Sequence, residues 1–222
     1  DDLRISSVAR TDEEILAAYN SNAPLPIDEW TTYKQNYDNN LLPAYDDIST
    51  ALGLSKIDAT HYNNTYWLIS GDSGKVKKYD GTTVTDITTE FGLTGTIVRD
   101  IGYGSYWLIV GDSGKIKKYD GSSVTDLTAT LEFGTSAAKT LAWSGLYWLV
   151  AGAGGKVKKY DGTVKDLTED FAFGSETINA IAWSGAYFLI GGTNGKIKKY
   201  DGSAVTDLTS TINLGTSTIN VI

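Results

Sequence analysis

Few side chains in this chain are equipped for covalent or acid–base chemistry, and their spacing narrows the choice further. His61 is the single histidine and cysteine is absent, so thiolate nucleophiles, disulfides and thiolate metal ligands are excluded together. No serine stands in a pattern that would make a triad with His61. Glycoside hydrolysis needs a pair of carboxylates. Asp100 is the only carboxylate within the apolar segments Ile97–Tyr103, Ala138–Trp143 and Ile178–Trp183; Thr140 and Ala180 take its place in the other two. A lone carboxylate there reads as a solvated channel residue. Asp72 and Asp112 lie in Gly-rich turns and raise the question of calcium, but Ala153 and Thr193 occupy the aligned positions. A repeated metal site would keep its ligand in each copy, so these aspartates read as turn formers. The expectation is a protein without catalytic residues, metal or cofactor, and therefore not an enzyme.

Binding chemistry has more to work with. Lys75, Lys77 and Lys78 recur as Lys115/117/118, Lys156/158/159 and Lys196/198/199. Such a belt suits an anionic glycan, teichoic acid or nucleic acid. The same period brings Asp86, Asp126, Asp166 and Asp207, one on each following strand. A hairpin sets each close to a lysine, so the matched acids favour cross-strand neutralisation over an anion site. Aromatics recur as Tyr66/Trp67, Tyr106/Trp107, Tyr147/Trp148 and Tyr187/Phe188. Neighbours on a strand face opposite ways, so each pair is expected to pack one ring on each side of its sheet, as core. Tyr62, Tyr103, Trp143 and Trp183 instead end an apolar segment beside a turn. Binding surfaces form at loop ends, and these four are the candidate ligand-binding residues.

The elements that position these groups come from a repeat of about forty residues, too small to bury its own apolar face alone. The run Tyr-Trp-Leu-Ile at Tyr66 returns at Tyr106, Tyr147 and Tyr187, each time followed by Gly-Lys-(Val/Ile)-Lys-Lys-Tyr-Asp-Gly from Gly74, Gly114, Gly155 and Gly195. One unit holds four short β-type segments: the apolar run, the Tyr-Trp-Leu-Ile run, the lysine run, and a last one at Val84–Thr88, Val124–Thr128, Val164–Thr168 or Val205–Thr209. Tight Gly and Asp-Gly turns join them. Four strands in such a unit make a propeller blade. The fold class is all-β, a β-propeller of four-stranded antiparallel blades near 56–89, 96–129, 137–168 and 177–209, with a partial fifth at 216–222. Asp46–Thr50 aligns with a fourth strand and Thr218–Ile222 with the start of a first strand, which leaves about twenty residues of a fifth blade, its second and third strands, outside the sequence. The chain starts at Asp1 and has no methionine, so we read it as a piece of a larger protein.

Residues 1–44 differ in character, with a short strand at Leu3–Arg10 and a helix capped by Thr11 with Glu14 three residues on. The runs Leu3-Arg4-Ile5-Ser6, Ala9-Arg10, Thr11-Asp12-Glu13-Glu14-Ile15 and Tyr19-Asn20 resemble the last strand and closing helix of laminin-G-like, concanavalin-A-type jelly rolls. Leu25-Pro26-Ile27-Asp28-Glu29-Trp30-Thr31-Thr32-Tyr33 is similar to linkers that follow such domains in bacteriophage tail chains. The third strand of each later unit, ending in Tyr79-Asp80, Tyr119-Asp120, Tyr160-Asp161 or Tyr200-Asp201, resembles the Trp-Asp strand of WD repeats without that family's Gly-His pair. The resemblances imply a module of a virion or extracellular protein, a phage tail or tail fibre, with other virion or surface-protein subunits and a cell-surface glycan as partners. A secreted cellular lectin or adhesin is the alternative, and a propeller hydrolase a distant third. The net charge of −8 is unfavourable for nucleic acid. No run of eighteen apolar residues marks a membrane span. Open blade ends imply an oligomer or a longer chain.

Overall fold

The computed structural model describes residues 47–222. The jelly-roll-like strand and helix expected within residues 1–44 lie outside the described residues, as does the boundary at 44/45. Ser49–Ile222 forms one compact unit. Its strands make four antiparallel sheets of four, each in simple sequence order. Blade 1 comprises Ile57–Tyr62, Trp67–Gly71, Lys75–Tyr79 and Val84–Asp86; blade 2 Val98–Tyr103, Trp107–Gly111, Ile116–Tyr119 and Val124–Asp126. Blade 3 comprises Ala138–Trp143, Trp148–Gly152, Val157–Tyr160 and Val164–Asp166; blade 4 Ile178–Trp183, Phe188–Gly192, Ile197–Tyr200 and Val205–Asp207. The first strands of successive blades lie side by side.

The core lies between blades. One cluster joins Tyr66, Leu68, Val76, Ile87, Phe91 and Leu93 of blade 1 and its connector to Val98, Ile101, Trp107, Ile109 and Tyr119 of blade 2. Equivalent clusters join blades 2 and 3 and blades 3 and 4. Each blade therefore has an outgoing face, carrying its Tyr-x-Leu residues, and an incoming face, carrying its Trp-x-Ile residues. This is the two-sided packing that strand alternation requires. Blade-to-blade burial of this kind supplies the stability that no single sheet of four short strands has on its own.

Glycine sets the close approaches. A Cβ on Gly114, Gly155 or Gly195 would stand 2.3–2.4 Å from the carbonyl oxygen of Gly134, Gly174 or Gly215, and all three glycines have positive φ. That explains the Gly of the repeated Gly-Lys. The lysine that follows reaches the other way. Lys156 Nζ donates to the Phe133 carbonyl at 2.6 Å and Lys196 Nζ to that of Phe173 at 2.9 Å, each in the connector before its own blade.

Three details depart from the sequence reading. The fourth strands stop at Asp86, Asp126, Asp166 and Asp207, two residues early, and run into one-turn helices at Thr88–Phe91, Thr128–Leu131, Thr168–Phe171 and Thr209–Ile212. The aspartate accepts the N–H of the threonine two residues on, at 2.9–3.0 Å, and turns the chain. The threonine hydroxyl then accepts an N–H near the start of the third strand, as from Val76 at 3.1 Å. Likewise, within the stretch Asp46–Thr50 the part from Ser49 is not strand: Ser49–Leu52 is a helical turn aligned with Thr88–Phe91. Residues 216–222 carry no strand. A strand needs a ladder partner, and the segment makes two main-chain bonds to blade 4, Ile219 N–H to Gly192 C=O at 2.9 Å and Gly195 N–H to Ser217 C=O at 2.6 Å, which do not form a ladder. Ile219 is nevertheless packed against Gly191, in the place a next first strand takes.

Candidate functional site

Tyr62, Tyr103, Trp143 and Trp183 each close a first strand, opposite Trp67, Trp107, Trp148 and Phe188 in the register. Non-adjacent positions become neighbours this way, and each rim ring rests on the ring across from it. Centroid separations are 5.0, 5.0, 5.2 and 4.6 Å. In blades 2 to 4 the partner ring is buried and fixes the rim ring, whereas Trp67, behind Tyr62, is itself exposed. Tyr62 and Tyr103 are exposed, while Trp143 and Trp183 are half-buried. Trp143 also leans over the preceding blade: a Cβ on Gly104 would meet its ring at 2.6 Å. Tyr106 lies 6.4 Å away. The four residues thus occupy one equivalent rim position on four consecutive blades. Leu146, in the adjacent turn, is among the most exposed apolar residues.

The Tyr-Trp runs behave as core with one exception, Trp67 of blade 1, which is exposed. Trp107 Nε1 donates to the Tyr66 hydroxyl at 2.8 Å across the blade 1–2 junction. At the next two junctions Tyr106 meets Trp148 and Tyr147 meets Phe188 by ring contact alone, at 6.1 and 5.6 Å between centroids. Burial raises the pKa of Tyr66, Tyr106 and Tyr147, the last two to about 12.

Every lysine of the repeated Lys-Lys pair is spoken for. Lys77, Lys117, Lys158 and Lys198 pair with Asp86, Asp126, Asp166 and Asp207 at 2.6–2.9 Å. Lys78, Lys118, Lys159 and Lys199 stand over the rings of Tyr66, Tyr106, Tyr147 and Tyr187 at 4.1–4.6 Å. The belt is therefore a cross-strand ladder and a set of cation–π caps.

The turn aspartates are also engaged. Asp72 accepts from the Ser55 hydroxyl and from the N–H groups of Ser55 and Lys56, which hold its carboxyl below the usual range. Asp112 forms a two-pronged pair with Arg99 at 2.7 and 2.8 Å. Among the described residues no group of three or more histidine, aspartate or glutamate side chains is placed to hold a metal ion. None of their helices is long and apolar enough to cross a membrane.

Asp100 corrects the sequence reading. It is no free channel residue but a tie between blades. Its carboxylate accepts the Leu141 N–H of blade 3 at 3.0 Å and the adjacent Ile101 N–H at 2.8 Å. Burial pushes its pKa up to about 6, against the pull of those two bonds. A set the sequence reading missed lies next to it. Each first strand is bulged by one residue, and the register shifts fall at Asp58, Arg99, Lys139 and Asn179. Asp58 pairs with Lys56 at 2.5 Å, Lys139 donates to Asn179 at 3.2 Å, and Asn179 donates to the Ile219 carbonyl at 3.3 Å. The available signal was a polar residue one place after the leading apolar residue in each copy. A separate depression lined by Asp126, Thr128, Ala129, Glu132 and Gly134 contains none of the rim aromatics.

Comparison with known proteins identifies the fold. No protein-family model matches the chain, and no curated protein matches it in sequence. Among solved structures, the computationally designed Ika4 protein matches with a TM-score of 0.54 at 20% identity, over 67% of this chain and 92% of that one. The WD40 β-propeller domain of Doa1 matches with a TM-score of 0.51 at 17% identity, over 65% of this chain and 51% of that one. The extracellular domain of BT4673 from B. thetaiotaomicron matches with a TM-score of 0.59 at 14% identity, over 75% of this chain but only 24% of that one. The chain thus spans about half of the Doa1 structure and about a quarter of the BT4673 structure. At such identities the likeness concerns fold alone: a WD40-like β-propeller of four-stranded blades.

Proposed function

We propose that this propeller is a non-enzymatic binding module of a multidomain virion or surface protein, a phage tail or tail-fibre component, and that it engages cell-surface glycan through Tyr62, Tyr103, Trp143 and Trp183. The observation that carries the reading is the rim itself. Four rings at one equivalent position, three of them backed by a buried ring, offer apolar platforms to the faces of sugar rings. The ionic groups of the repeat favour the same reading, because the lysines and aspartates that would bind or cleave an anionic substrate already satisfy one another. A secreted lectin or adhesin would use the same rim. The jelly-roll resemblance of residues 1–44 weighs toward the virion.

A panel of immobilised glycans, probed with the 222-residue chain, tests this. Binding of at least one neutral glycan is expected, retained at high salt and lost with Tyr103→Ala plus Trp143→Ala. Release of reducing ends from a bound glycan would refute the non-enzymatic part. Failure to bind any glycan would refute the rim assignment.

A further inference from the structure

The two end faces of the described array are exposed in the same way. On the incoming side of blade 1, Trp67 is 40% and Ile57 53% exposed, whereas their counterparts Trp107, Trp148 and Phe188, and Val98, Ala138 and Ile178, are at most 1% exposed. On the outgoing side of blade 4, Ile212 is 42% and Leu214 43% exposed. Their counterparts Phe91, Leu131 and Phe171, and Leu93, Phe133 and Phe173, are at most 2% exposed.

Neither face is bare, and what already covers each is informative. At blade 1, Ser49–Leu52 repeats the helical turn of a preceding blade, with Leu52 buried. Lys75 Nζ reaches the Gly53 carbonyl at 3.4 Å, as Lys156 and Lys196 reach their own preceding connectors. At blade 4, Ile219 and Ile222 pack on Gly191. Asn179 donates its side-chain N–H to the Ile219 main-chain carbonyl, and at the junction before it Lys139 reaches the Asn179 side chain. Residues 216–222 thus stand where the first strand of a next blade stands. What each face lacks can be read from the complete junctions. There the helical-turn ring Phe91 meets third-strand Tyr119 at 5.3 Å, and Phe171 meets Tyr200 at 5.4 Å. The outgoing tyrosine meets a second-strand Trp or Phe. Among the described residues no third-strand tyrosine lies over Ile212 and no second-strand aromatic over Tyr187.

We propose that the outgoing face of blade 4, edged by residues 216–222, is an acceptor for a β-hairpin built on this repeat's own second- and third-strand pattern. Such a hairpin pairs its second strand with 216–222 and lays an aromatic–x–Ile face and a third-strand tyrosine on Tyr187, Leu189, Ile212 and Leu214. This is strand addition completed by side-chain packing. A second whole copy fits less well. Its Ile57–Tyr62 strand needs the place held by 216–222, and its Ser49–Leu52 turn needs the place of Thr209–Ile212.

The probe is a synthetic peptide copying Tyr187–Asp201, added to the full chain and followed by thermal melting. Saturating peptide is expected to raise Tm by about 5 °C or more. The shift is expected to vanish with Ile212→Glu plus Leu214→Glu, changes at already exposed positions that leave the four blades folded by circular dichroism. The same peptide with Phe188→Ser must give no shift. A covalent form, with a copy of Ala182–Ser203 appended after Ile222, guards against peptide self-aggregation and must melt higher than the chain by a similar amount. No shift in either format would overturn the proposal, as would a shift that survives in the glutamate variant. Sedimentation of the wild-type chain as a dimer that dissociates with Ile212→Glu would overturn it in favour of a second copy. The rim-binding test stands apart, because these substitutions leave Tyr103 and Trp143 untouched.

Discussion

Replacing Lys77, Lys117, Lys158 and Lys198 together with Gln removes one cation from each blade and keeps the aspartate that turns the chain. The side chains of these lysines are 12%, 10%, 7% and 9% exposed, and their aspartate partners 60%, 55%, 57% and 58%. Each pair thus sets a buried ammonium stem against a carboxylate that stays largely in water. The carboxyls are held at about 2. For Asp86 the Lys77 bond is the leading cause; at Asp126 and Asp166 partial burial pushes upward and is outweighed, chiefly by the lysine bond; at Asp207 the Thr209 hydroxyl leads. Lowering the carboxyl pKa from 3.8 to about 2 would be worth about 2.5 kcal/mol without screening, the threonine bonds included. With carboxylates more than half exposed, solvent screening reduces this to about 0.2–1 kcal/mol each. The fourfold variant should therefore lose about 1–4 kcal/mol at pH 7 in urea unfolding followed by tryptophan fluorescence. A depressed carboxyl stabilises the folded form above its ordinary pKa, and that contribution disappears as the pH falls through about 2. The gap between wild type and variant should accordingly narrow as the pH falls from about 4 toward 2. A gap that does not change over that window, or no measurable loss at pH 7, would refute the ladder as a stabilising device.

Tyr66→Phe strips the acceptor from the buried Trp107 Nε1 and should lower stability by about 1–3 kcal/mol in the same assay, with little change in the near-ultraviolet spectrum. Asp100 has a folded pKa raised to about 6 by burial, so ionising it opposes folding: wild type should lose up to about 3 kcal/mol as pH rises from about 4 to about 6, and Asp100→Thr should abolish that slope. Gly104→Val places a methine within contact of Trp143; it should move that ring, change the near-ultraviolet circular dichroism and weaken rim binding at least tenfold, while the melting point falls only a few degrees.

The blades were legible because their signals are local. Alternating apolar runs, Gly turns and an Asp-Gly hairpin recur in register, so strand order follows from hairpin length. The ladder was legible for the same reason: a lysine and an aspartate eight or nine residues apart across one tight turn must face each other. The helical turns were not, because Asp-x-Thr reads as a strand running on with a β-branched residue. It is the aspartate's bond to the threonine N–H, and the burial of Phe91 or Phe171 in the next junction, that turn the chain there. The role of Asp100 was hidden because its partner N–H, on Leu141, lies one whole repeat away. The bulge residues were hidden because one inserted residue changes which face a side chain takes. The rim aromatics could be placed at strand ends from the pattern alone; that Trp143 lies over Gly104 depends on how one blade turns against the next.

The central claim is that this propeller binds through its aromatic rim and not through its lysines. The most direct measurement is an equilibrium titration of the best glycan from the panel against three proteins: wild type, Tyr103→Ala plus Trp143→Ala, and the fourfold Lys→Gln variant. Loss of one buried stacking ring is worth about 1–3 kcal/mol, so the rim variant should bind at least tenfold more weakly. The lysine variant should bind as wild type does, and raising salt from 0.05 to 0.5 M should leave all three affinities in place. Binding that survives in the rim variant, but collapses in the lysine variant and at high salt, would contradict the account.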